Sequence, residues 1–128
     1  MDQGNSLVDR FILEQIDTIP HLEGLLLVWG KRPQAWSVDE MAAALYVPRE
    51  LALQVLTDLV QRGLLEETLP PPTRYRYKSD SAEQDSLIAL VSETYRRELI
   101  RVSRMVHSKA PSAVRDFARA FRFTKEKE

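Results

Sequence analysis

Residues 37–78 read SVDEMAAALYVPRELALQVLTDLVQRGLLEETLPPPTRYRYK, and their order of caps, apolar spacings and turn residues decides the architecture. Ser37-Val38-Asp39-Glu40 has the spacing of a capping box, in which a serine hydroxyl and a glutamate carboxylate each satisfy a free backbone N–H of the other residue, so a helix begins here. Val38, Met41, Ala42 and Leu45 recur on one face of it. It stops near Tyr46-Val47-Pro48, because proline disfavours a helical residue before it and suits the first turn of the next helix. A second helix runs from about Pro48 to Arg62, with Gly63 as its left-handed C-cap. Leu64-Leu65 open a strand. Leu69-Pro70-Pro71-Pro72 cannot pair in a central strand and forms a hairpin tip. Thr73-Arg74-Tyr75-Arg76-Tyr77-Lys78 alternates aromatic against basic with period two, as a half-buried strand does.

The run from Tyr46-Val47-Pro48-Arg49-Glu50 through Gln61-Arg62-Gly63-Leu64-Leu65-Glu66, preceded by the apolar helix His21-Leu22-Glu23-Gly24-Leu25-Leu26-Leu27-Val28-Trp29, resembles the winged helix-turn-helix domains of small bacterial transcriptional regulators. The resemblance implies a mainly α fold with a small two-stranded β-wing. It also implies that residues 49–58 enter the major groove of DNA while the wing touches backbone or minor groove. Fold alone does not establish function, so the side chains must be tested against that role.

DNA contact needs basic or amide side chains on an outward face, since phosphate neutralisation dominates affinity and Arg, Lys, Asn and Gln read base edges. Projected as a helix, Leu51, Ala52, Leu53, Val55, Leu56, Leu59 and Val60 fill an arc of roughly 200 degrees, wide enough for a core and something more. The remaining arc holds Thr57, Glu50, Gln61, Gln54 and Asp58, with Arg49 and Arg62 at its margins. Two carboxylates and no cation form a poor surface for a polyanion. Gln54 suits adenine and Arg49 a phosphate, but Arg74, Arg76 and Lys78 of the wing are the better DNA candidates. A solvated strand face accounts for the same three residues.

Composition sets the outer bounds. The chain has 128 residues, 44% of them hydrophobic, enough for one cored domain plus an appendage. It has no cysteine, which excludes disulfides, thiolate metal sites and cysteine nucleophiles. Apolar runs such as Leu25 to Trp29 are far too short for a bilayer, and no charged-then-apolar leader opens the chain, so a cytoplasmic protein without membrane contact is expected. Charge is asymmetric: residues 1–95 hold 8 Lys or Arg against 15 Asp or Glu, and residues 96–128 hold 10 against 4. The basic tail suits nucleic acid, its own acidic body, or a second copy.

Two units follow, residues 1–79 with the first helix and the winged region, and residues 80–128 as a helical segment for dimerisation or interaction. Ser81-Ala82-Glu83-Gln84 is a second capping-box candidate, and from it Leu87, Ile88, Val91, Tyr95, Leu99, Val102 and Val106 form one stripe of a helix reaching Ser108. A continuous helix there would be about 42 Å long, more than the winged unit can cover. A homodimer supplies the missing apolar partner, with Leu99, Val102 and Val106 as contacts. The alternative is the first helix, with Leu7-Val8, Phe11-Ile12 and Gln15-Ile16, folded back over it. A short basic amphipathic helix after Pro111 carries Val114, Phe117, Ala118 and Phe121 on one side, so Phe117 and Phe121 join the partner-binding candidates.

Nothing points to an enzyme. His21 and His107 have no metal spacing and read as surface or helix-end residues, the paired acids are adjacent and point apart, and the four glycines form no phosphate loop. No cofactor or metal is expected. Two functions remain: a dimeric transcription-regulator module touching DNA through Arg74, Arg76 and Lys78 with Arg49 and Gln54, or a protein-interaction module using the acidic face of residues 50–61 with Leu51 or Leu53. Any small-molecule crevice is expected beside Trp29, Trp36 and Tyr46.

Overall fold

The computed structural model describes residues 2–109, with side chains described from residue 6 onward. Helices α1 (Asp2–Gln15), α2 (Ile19–Gly30), α3 (Val38–Leu45) and α4 (Arg49–Gln61) are followed by strands β1 (Leu65–Thr68) and β2 (Arg74–Tyr77), then by α5 (Ala82–Arg97) and α6 (Leu99–His107). The winged order expected from residues 37–78 is therefore present.

Each boundary has a local cause. Ser37 Oγ accepts from the Glu40 N–H at 3.0 Å while the Ser37 N–H donates to Glu40 Oε1 at 2.8 Å, closing the capping box at α3. That donated N–H, with Arg74 adding its charge, holds the Glu40 carboxyl below the usual carboxylate range. Replacing Ser37 with alanine is expected to cost about 1 kcal/mol, read as a lowered urea midpoint with an unchanged slope. Tyr46 ends α3 in the left-handed region at φ 57°, and Gly63 adopts φ 76° just past α4, where a side chain would be strained. Ser81 caps α5 by accepting from the Gln84 N–H. The Gln84 side chain turns to Tyr77 Oη and the Lys78 carbonyl instead of returning to Ser81.

The strands pair antiparallel, Leu65 opposite Tyr77 and Thr68 opposite Arg74. Tyr75 and Tyr77 face the core and Arg74 and Arg76 do not, as the alternation requires. Trp36 adds a single bridge on the far side of β2, exchanging both backbone hydrogen bonds with Tyr75 at 2.7 and 2.8 Å.

The core runs through α2, whose Leu22, Leu25 and Val28 are fully buried and which packs on α3, α4, β2, α5 and α6. Gly24 permits the close approach to α4: a Cβ there would lie 3.1 Å from Val55 Cγ1.

The single long helix expected over residues 81–108 is two helices. Glu98 breaks it at φ −127° and ψ 49°, and Val102 and Val106 of α6 bury in the same core as α1 and α2. The apolar partner that a continuous helix would lack is thus supplied within the chain by α1. Arg101 braces the turn, with Nη1 3.0 Å from Asp9 on α1 and Nε 2.7 Å from Glu98. Beyond α6, the Lys109 ammonium donates to the carbonyls of Ile12 and Ile16 at the end of α1.

Two phenols, Tyr77 buried and Tyr95 half-buried, tie α5 to this frame. Tyr77 Oη donates to Asp85 on α5 and Tyr95 Oη donates to Glu23 on α2. Burial is the main force pushing each up to about 12 from 10.0. Below pH 10 both phenols keep their protons in the folded and unfolded chain. Between 10 and 12 the unfolded chain ionises first, so stability falls as pH rises across that window. Tyr77→Phe and Tyr95→Phe should each flatten the fall in urea midpoint measured from pH 9 to 12.

Candidate nucleic-acid interface

The interface candidates come from α4 and the wing. Arg74 and Arg76 lie on the outward side of β2, where the period of two sets them opposite the buried tyrosines, and Lys78 is exposed just past the strand. Arg49 stands exposed at the start of α4 and Gln54 exposed on its next turn.

Four of these five side chains already have a partner in the chain. Arg74 Nη1 is 2.7 Å from Glu40 Oε1, Arg76 Nε 2.7 Å from Glu66 Oε2, and Arg49 Nε 2.9 Å from Asp39 Oδ1. Gln54 Nε2 donates to Asp58 Oδ1 at 2.7 Å. Among the described residues Lys78 has no ion pair; its backbone N–H donates to the Leu64 carbonyl. The Arg76–Glu66 pair follows from strand register, since the two residues are directly opposite. Exposed pairs of this kind contribute at most about 1 kcal/mol each, so a phosphate can displace the carboxylate at little cost.

The outward face of α4 is less acidic than its sequence suggests. Asp58, expected on the outward arc, turns toward α2, where its Oδ2 lies 2.8 Å from Nε2 of His21. His21, expected at the surface or at a helix end, lies in the first turn of α2 and is 4% exposed. Its Nδ1 is 2.6 Å from Thr18 Oγ1, which caps α2. Beside it Arg62 Nη2 contacts both oxygens of Asp17 at 3.1 Å. Asp17, His21 and Asp58 bring one ligand-type atom each within 4.8 Å of one another, and each of those groups is engaged by protein. The helix expected from His21 begins at Ile19, with Thr18 as its N-cap and Pro20 in its first turn, which sets His21 in that turn.

Of the partner-binding candidates, Leu99 is 52% exposed, whereas Val102 and Val106 are buried within the chain and present no surface. Phe117 and Phe121 lie outside the described residues. Of the residues expected beside a crevice, Tyr46 lines one, whereas Trp29 and Trp36 lie apart from it. Trp36 is buried at the edge of β2, neither its Nε1 nor that of Trp29 has a hydrogen-bond partner among the described residues, and Arg32 stacks over Trp29 at 4.5 Å. The crevice, of about 530 Å³, opens between α2, α3 and α5, lined by Leu26, Leu27, Leu45, Tyr46, Tyr95 and Arg96 among others. No helix among the described residues is long and apolar enough to cross a membrane.

Solved structures settle the architecture. A MarR family protein from Bacillus stearothermophilus superposes with TM-score 0.52 at 16% identity, over 98% of this chain and 82% of that one. The fold is that of the MarR-type winged-helix proteins. The Mycobacterium tuberculosis transcriptional regulator MosR matches with TM-score 0.54, 18% identity and 98% and 88% coverage. Staphylococcus aureus MepR in complex with DNA matches with TM-score 0.52, 11% identity and 99% and 94% coverage. No family model matches the chain, and no curated protein matches its sequence. At these identities the MarR-type likeness covers the fold, and the function must be argued from the side chains.

Proposed function

We propose that this protein is a cytoplasmic, non-enzymatic transcription regulator that binds duplex DNA as a dimer. The observation that carries the reading is the wing itself: Arg74, Arg76 and Lys78 project from one side of a hairpin whose other side is locked into the core by Tyr75 and Tyr77. The MarR-type fold supports it, and MepR, which shares that fold, has been solved with DNA. In this reading the wing cations neutralise phosphates, Arg49 reaches a further phosphate and Gln54 reads a base edge. The dimer rests on α1 and α6, which pack together and leave Leu7, Leu13, Leu99 and Ile100 43–67% exposed. Dimerisation sets the spacing of the two wings along the duplex.

A second reading has its own observation in favour. Arg49, Arg74 and Arg76 are all neutralised within the chain, while Tyr46 is 95% exposed and Leu51 and Leu53 are 37% and 39% exposed beside Glu50. Such a surface suits an apolar, basic segment of a protein partner.

Hydrogen exchange with and without a mixed-sequence duplex separates the two. Slowed exchange in residues 65–78 and at the start of α4 is the result expected for DNA contact. Unchanged exchange in both segments under conditions where DNA is saturating overturns it.

A further inference from the structure

A chain of hydrogen bonds leads from the core to the outer face of α4. Thr18 and His21 begin it at the first turn of α2, His21 Nε2 meets Asp58 Oδ2 at 2.8 Å, and Asp58 Oδ1 accepts from Gln54 Nε2 at 2.7 Å. At 2.8 Å from a carboxylate oxygen, Nε2 must carry a proton, because its lone pair would repel the anion. The neutral ring satisfies this when the Thr18 hydroxyl donates to Nδ1, and the charged ring satisfies it when Nδ1–H donates to Thr18; Nε2 donates to Asp58 in either case.

Gln54 is otherwise a poor candidate for reading sequence. A solvent-exposed glutamine on a helix samples many rotamers, and its amide plane turns freely, so ordering it on a base edge costs conformational entropy. Here one amide N–H is held by a carboxylate that is itself held by a buried imidazole. The carbonyl Oε1 and the second N–H remain for a partner. An acceptor and a donor side by side on one amide match N6–H and N7 of adenine in the major groove.

We propose that His21 and Asp58 are positioning residues that orient Gln54 to recognise adenine. The proposal rests on the DNA-contact reading above and adds the base recognised and the residues that enforce it. It also gives a role to a carboxylate on the recognition helix that is otherwise repelled by phosphate. Asp58 faces inward to His21 and spends its second oxygen on Gln54, and the neighbouring Asp17 is held by Arg62.

The test is selection from a randomised duplex pool by the full-length protein. The wild type should enrich adenine at one position of each half-site, and Gln54→Ala should abolish that enrichment. His21→Ala and Asp58→Ala should reduce it about tenfold or more at the same position, leaving other positions unchanged. His21→Gln, which keeps an N–H donor for Asp58, should retain more of it. Adding His21→Ala to Gln54→Ala should change nothing further. Asp58→Ala removes a side chain that is 23% exposed and takes away the acceptor for Gln54, and it carries the test if His21→Ala does not fold. Adenine enrichment that survives both His21→Ala and Asp58→Ala overturns the proposal, as does relaxation at every position together, which marks a merely structural role. A wild type that binds no duplex overturns the DNA reading and this inference with it, a result distinct from the other two.

Discussion

Replacing Arg74 and Arg76 together with alanine should weaken binding to duplex DNA about ten- to a hundredfold for each wing engaged near 0.1 M salt, to a similar degree on every sequence. The magnitude follows from counterion release, in which each neutralised phosphate adds about 0.9 to the slope of log affinity against log salt. Removing two cations from each wing should therefore flatten that slope by nearly 2 per wing. Both guanidinium groups first leave carboxylates, Glu40 and Glu66 at 2.7 Å. That gives the converse experiment. Glu66→Gln frees Arg76 and removes a negative charge from the wing, so it should raise DNA affinity severalfold. If the surface around Tyr46, Glu50, Leu51 and Leu53 is the working one, the same change should leave DNA untouched. Fluorescence anisotropy of a labelled duplex against wild type and the two variants reads all of these values.

Leu25→Ala should remove 2–5 kcal/mol of stability, up to roughly half of what a domain of this size commands. Leu25 is completely buried on α2, the helix that packs on α3, α4, the wing, α5 and α6. Its truncation loses transfer free energy and leaves a cavity bordered by several elements at once. Gly24 shows how little slack there is beside it, with Val55 already 3.1 Å from where a Cβ would stand. The structure therefore cannot collapse easily into the void, which places the cost toward the upper end of the range. Urea unfolding followed by circular dichroism should show the midpoint fall while the slope holds.

The parts of the fold readable in sequence are those set by neighbours in the chain. Ser37 and Glu40 are three residues apart, so their box is visible at sight and is present at 2.8 and 3.0 Å. Gly63, the proline tip and the Tyr75–Tyr77 alternation are local in the same sense. The break at Glu98 is not. Leu99, Val102 and Val106 stay in phase with the stripe before them, and only the burial of α6 against α1 and α2 makes the turn favourable. The same difference divides the interface. Arg76 facing Glu66 follows from hairpin register, whereas Arg74–Glu40, 34 residues apart, and His21–Asp58, 37 apart, exist only because α2, α3, α4 and the wing pack together. A helical projection can place Asp58 on the polar arc, but it carries no information about the imidazole that draws it inward. For that reason the acidity of α4 looks greater in sequence than it is in the folded chain.

DNA binding through the wing is read out by anisotropy of a labelled mixed-sequence duplex titrated with the purified protein at about 50 and then 200 mM salt. Two wings with three cations each should give micromolar binding at the lower salt that weakens by about a thousandfold at the higher, the behaviour of six phosphate contacts. Absence of binding at the lower salt, or binding indifferent to the change, would contradict a protein that holds DNA through Arg74, Arg76 and Lys78.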